Sequence, residues 1–96
     1  MKYHITVEQV KKRLTLFVEV LVFETSENPT SVIRAAGRNA GYGVGDAIEA
    51  GVLPGKFITP LLAFVNHLSI EGSSQHLGAL AQAMLKMIEE EMLDES

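Results

Sequence analysis

The chain has 96 residues, 47% of them hydrophobic, with no cysteine and a formal net charge of -4. A single domain of this size buries a modest core, so association with a copy of itself is expected, and without cysteine there is neither a disulfide framework nor a thiolate metal site. Lys2, Lys11, Lys12, Arg13, Arg34 and Arg38 gather in the first part of the chain, and Glu89, Glu90, Glu91, Asp94 and Glu95 crowd its end; a wide nucleic-acid-binding face needs more positive charge than this.

The N-terminal stretch MKYHITVEQVKKR has no small-residue cleavage site and reads as no signal peptide. Thr6 and Gln9 have the spacing of a helix capping box, and Val7, Val10, Leu14, Phe17 and Leu21 follow at steps of three and four, which predicts a first helix from about Val7 to Ser26. Beyond Arg13, Leu16, Val18, Val20, Val22 and Phe23 carry apolar side chains around most of its circumference. Such a segment is buried on two sides or packs against a neighbour. The competing reading is a strand over Leu14 to Phe23, a run rich in valine and phenylalanine. The run is about half the length needed to cross a bilayer, so no membrane association is expected, and a reducing cytoplasm fits the composition.

Glu27, Asn28 and Pro29 stop the first element, and Thr30 or Ser31 caps a second helix from Val32. Ile33, Gly37, Ala40, Gly41, Val44 and Ile48 form its apolar side, while Arg34, Arg38, Tyr42 and Asp46 fall in one row at spacing four. Each glycine between Gly37 and Gly45 costs about 1 kcal/mol relative to alanine. Two outcomes follow: one long helix packed tightly against another backbone, or a helix to Ala40, a GYGVG loop and a short helix capped by Asp46. The spacing of Asp46 and Glu49 favours the break.

After Gly51, Leu53, Pro54 and Gly55 make a turn. Thr59 as N-cap and Pro60 in the first helical position start a third helix carrying Leu61, Leu62, Phe64, Val65 and Leu68, which Gly72 ends. Ser73 or Ser74 caps a last helix with the stripe Leu77, Leu80, Ala81, Met84, Leu85, Ile88 and Met92; Met87 fits that stripe less well. Its acidic end, 91–96, is expected to fray unless a basic partner holds it, because the helix dipole prefers cations there. The expectation is a single all-α domain over 1–96, a compact bundle of four to five helices with a glycine-rich second helix or helix-loop-helix, the first and third helices being the most buried.

Two candidate sites stand out. Arg34, Arg38, Asn39 and Tyr42, beside the glycine-rich stretch, are an anion site in one reading, because guanidinium groups one turn apart grip phosphate or carboxylate by paired hydrogen bonds. In the other reading the arginines are surface residues paired with Glu27, Asp46 or the acidic tail. Lysine and serine or threonine do not follow the glycines, so this is no phosphate-binding loop. Gly37, Gly41 and Gly45, at intervals of four, permit a tight helix crossing, and Val18 and Val22 supply apolar surface for an interface between subunits; a flexible loop is the plainer alternative.

His4, His67 and His76 are too dispersed for a metal site, and His67 with Glu71 offers only two ligands. His76 has no evident partner, and nothing in the sequence sets a base beside a serine. No catalytic residue, metal or cofactor is therefore assigned. The first functional expectation is a non-enzymatic interaction module that forms a homo-oligomer and binds another protein, as an accessory, inhibitor or immunity-type factor. The alternative is a binder of a small anionic ligand such as a nucleotide, held by Arg34 and Arg38.

Overall fold

The computed structural model describes residues 5–23, 30–70 and 73–95. These form four α-helices, α1 Val7–Phe23, α2 Ser31–Glu49, α3 Ile58–His67 and α4 Ser74–Glu95, with a 3-10 turn Gly55–Phe57 leading into α3. Among the described residues there is no strand. The helices form a ring in which α1 packs against α2 and α4, and α3 packs against the same two from the other side. Phe17 of α1 and Phe64 of α3 meet across the centre, edge to face, with ring centroids 5.0 Å apart, the arrangement that ring quadrupoles prefer.

The start of α1 is a reciprocal capping box. The Thr6 N–H donates to Gln9 Oε1 at 2.9 Å, and the Gln9 N–H donates to Thr6 Oγ1 at 3.2 Å. This satisfies two of the donors that a helix start leaves open. Leu14 to Phe23 is helical, so the strand alternative does not hold. Val10, Leu14 and Phe17 are fully buried, at the helical spacing that gives one side chain per turn to the core. The predicted end at Ser26 lies outside the described residues, as do Glu27, Asn28, Pro29 and Gly72.

The α2 helix runs unbroken from Ser31 to Glu49, which corrects the expectation of a break at the GYGVG stretch. Thr30 is its N-cap and accepts from the Ile33 N–H at 3.3 Å. The glycine penalty is offset by what the missing side chains admit. A Cβ at Gly37 would overlap Leu68 Cδ2 and stand 3.2 Å from Phe17 Cε1, and one at Gly43 would lie 3.0 Å from Arg13 Cδ. Groups from α1 and from the end of α3 thus close onto α2 at these two positions. Asp46 lies inside the helix and caps nothing; the spacing of Asp46 and Glu49 imitates a cap because a capping box and a continuing helix share the same offset.

The end of α2 is built on Gly51, whose φ of 77° is the one positive value among the described residues. The Gly51 N–H donates to the Ile48 carbonyl at 3.1 Å and the Val52 N–H to the Ala47 carbonyl at 2.8 Å. This pair of bonds is a Schellman closure, which needs a left-handed residue after the last helical turn. The chain then turns through Leu53, which is buried, to Phe57, which is fully buried.

Phe57 also explains why α3 begins earlier than expected. The chain is already wound by the 3-10 turn when it reaches Ile58, so Thr59 is not the N-cap and Pro60 is the third helical residue. Its missing donor still falls among the first four, which have no partner within a helix. The expectation that α1 and α3 are the most buried does not hold, since α1 buries Val10, Leu14 and Phe17 and is exceeded by α2. α2 sends Ile33, Gly37, Ala40, Gly41, Gly43, Val44 and Ala47 inside, whereas α3 buries Phe64 alone within its bounds. α3 is only ten residues long and has apolar residues on every side of a helix with one buried face.

In α4, Leu77, Ala81, Met84 and Ile88 are fully buried; Met87 packs against the core from its edge, while Met92 is exposed. The helix extends to Glu95, and Glu91 forms an ion pair with Lys56 of the 3-10 turn. No described helix is long and apolar enough to cross a membrane.

Candidate functional site

The outer faces of α2 and α3 enclose a groove of about 780 Å³. One wall is the α2 row Arg34, Arg38, Tyr42 and Asp46, extended by Glu49, with Gly41 and Gly45 between them. The other wall is Leu61, Leu62 and Val65 of α3, with Leu68 and Ser69 at the end. The row at spacing four was legible in the sequence, but its relation to the glycines was not. Gly41 and Gly45 line the same groove as the charged row, not the opposite side of the helix. Consecutive helical residues are about 100° apart, so a groove this wide takes in both. The two glycines face α3 side chains at ordinary contact distances, Gly41 at 3.7 Å from Val65 Cγ2 and Gly45 at 3.8 Å from Leu61 Cδ2, measured from a Cβ built at each.

Within the groove wall Arg38 and Tyr42 are exposed, and Arg34 and Asp46 are half-buried. Arg34 Nε is shut off from solvent and has no hydrogen-bond partner among the described residues. Asn39 does not join this set. It lies off the groove, and its main-chain carbonyl accepts from Arg13 Nη1 of α1 at 3.3 Å. No ion pair joins Arg34 or Arg38 to Asp46 among the described residues, and Glu27 lies outside them. The wall is therefore split along its length: two cations near the start of α2, two carboxylates near its end, and Tyr42 between.

Sequence reasoning assigns the α3 wall to the core. Leu62 is 59% exposed and Val65 47% exposed, while Tyr42 across the groove is 67% exposed. The signal was available, because apolar residues all round a short helix exceed what one buried face absorbs. On the other side of the molecule, Val18 is half-buried against the core and Val22 is 72% exposed near the end of α1. Gly37, the third member of the glycine series, is buried inside the chain against Leu68 and Phe17.

A second polar cluster joins the end of α3 to the start of α4, where His67 Nδ1 and Ser73 Oγ are 3.1 Å apart. His67 stacks on His76 with centroids 5.0 Å apart and rings 4° from parallel. Two expectations are thereby corrected: a serine does have an imidazole beside it, and His76 does have a partner. The chain reversal between α3 and α4 brings together residues whose separation in sequence concealed this. Ser73 is 2% exposed, and its hydroxyl ties the end of α3 to the residue that precedes α4. Glu71, the other half of the two-ligand pair with His67, lies outside the described residues. No group of three histidine or acidic side chains able to hold a metal ion occurs among the described residues.

No protein-family model, curated protein or solved structure matches the chain. The α2–α3 groove and its chemistry are the ground for a functional reading.

Proposed function

We propose that this protein is a non-enzymatic helical interaction module that self-associates and, in that form, binds another protein. One observation carries the reading: Leu62 and Val65 on one wall and Tyr42 on the other expose apolar and aromatic surface to one groove, with charged side chains on both sides of Tyr42. Contiguous apolar surface rimmed by polar residues is the usual mark of a protein contact, and tyrosine is enriched at the centres of such contacts. The exposed Leu16, Val22 and Phe23 of α1 offer a separate surface for a further partner in the same cytoplasmic setting. Light scattering coupled to size exclusion over a range of concentrations tests the first step. A mass that rises with concentration to that of an oligomer is the expected result; a monomer at every concentration overturns it.

The anion-binding reading retains one supporting observation, the unpartnered and buried Nε of Arg34 in a groove of ligand-like volume. Against it stand Asp46 and Glu49 on the same wall, which repel a multiply charged anion. Calorimetry with a panel of nucleotides and other anions decides between the two. Heat from one ligand that is lost in Arg38→Ala supports the binder, and no heat from any of them removes it.

A further inference from the structure

We infer that the charged row of α2 is one half of an antiparallel two-fold contact between two copies of this chain, in which Arg38 of each copy pairs with Asp46 of the other across Tyr42. This rests on the self-association proposed above and gives it a geometry. Tyr42 stands midway between Arg38 and Asp46, four residues from each, and Arg34 and Glu49 lie eight and seven residues to either side. Reversing the helix about Tyr42 therefore lays the basic half of the row on the acidic half. A two-fold interface brings one patch against itself, and here the patch is its own electrostatic complement. At about 1.5 Å of rise per residue, Arg38 and Asp46 sit roughly 6 Å to either side of the axis, within the reach of both side chains. A parallel copy in register would instead set arginine against arginine.

The arrangement is unfavourable in a single copy. Arg34 and Arg38 are like charges one turn apart, and Asp46 and Glu49 are like charges three residues apart, each a spacing that costs an isolated helix stability. The cations lie toward the positive end of the helix dipole and the carboxylates toward its negative end, the reverse of the stabilising order. Among the described residues none of the four has an ion-pair partner. An antiparallel copy opposes the two dipoles, pairs the charges and covers Tyr42, Leu62 and Val65. A partner of uniform charge would be drawn to one half of the row and repelled by the other.

The test is charge reversal read by analytical ultracentrifugation on the full chain, with circular dichroism to confirm that each variant is folded. Arg38→Glu alone and Asp46→Arg alone weaken the dimer by about 100-fold, since each creates two like-charge contacts about the axis. An equal mixture of the two single variants recovers a dimer, because both of its contacts then pair opposite charges, and the double variant recovers it by the same logic. As a route that does not depend on those substitutions folding, Tyr42→Cys, in a chain with no other cysteine, forms a disulfide-linked dimer on mild oxidation, while Gln82→Cys at an exposed position of α4 does not. If the wild type dimerises but neither the charge reversals nor cross-linking of the Tyr42→Cys variant distinguishes this face, the geometry is wrong and self-association stands. If the wild type is a monomer throughout, both fail.

Discussion

Two chemically identical substitutions in α2 should differ in their effect on stability. Replacing an interior helical glycine with alanine gains about 1 kcal/mol from the restricted unfolded chain and the better helix former. At Gly45 the added methyl would lie 3.8 Å from Leu61 Cδ2, a separation at which dispersion is attractive, so the whole gain is expected. For a chain of this size that corresponds to a rise in Tm of roughly 4–8 °C. At Gly37 the same methyl would overlap Leu68 Cδ2 and crowd Phe17 Cε1. Leu68 is buried and its side chain must shift to admit the methyl, and overpacking of this kind costs about 1–3 kcal/mol. Gly37→Ala is therefore expected to lose roughly 0–2 kcal/mol net after the propensity gain. Thermal and urea unfolding followed by far-ultraviolet circular dichroism, at one fixed protein concentration, measures both. A lower Tm for Gly45→Ala would mean that α2 is not a continuous helix through that position, and equal stabilisation by both variants would mean that Leu68 yields to a methyl at Gly37 without cost.

Three further substitutions test the elements that frame the groove. Gly51→Ala forces a Cβ into the left-handed conformation that closes α2 and should cost about 1–2 kcal/mol, read as a lower urea midpoint with an unchanged slope. Thr30→Ala removes the oxygen that accepts from the Ile33 N–H and should cost about 1 kcal/mol, whereas Thr30→Ser should cost much less. Phe64→Ala empties the centre of the ring of helices; a loss of about 3–5 kcal/mol is expected, read as a lower Tm and a lower urea midpoint.

Much of the helical layout was legible from periodicity and caps. Thr6 and Gln9, Thr30 and Gly51 each act at a helix end through a short-range hydrogen bond or a local dihedral, and such signals depend on residues within a few positions of one another. The fate of the glycine-rich stretch was not local. Whether four glycines break a helix depends on what fills the space they leave, and the neighbours are Phe17 and Arg13 from α1, Leu61 and Val65 from α3 and Leu68 just beyond it, all remote in sequence. The candidate site divides the same way. Arg34, Arg38, Tyr42 and Asp46 share a row because helical geometry alone requires it. Asn39 joins them in the sequence by adjacency, but a step of one residue carries it around the helix toward Arg13. The α3 wall reads as core because an apolar side chain does not reveal which way it faces until the number of buried faces is known.

The shallow anchoring of α3 bears on how the groove behaves in time. With Phe64 as its sole buried residue inside the helix and a burial-poor outer face, α3 has the least to lose by detaching. Its amide protons should therefore exchange with solvent ahead of those in α1 and α2, through a partial opening that leaves the rest of the bundle intact. The leucines of the groove ride on that helix, so the width of the groove fluctuates with it, and a second molecule resting on Leu62 and Val65 would slow the exchange. A helix held by so little of its own chain is the part of the fold with the most to gain from an added contact.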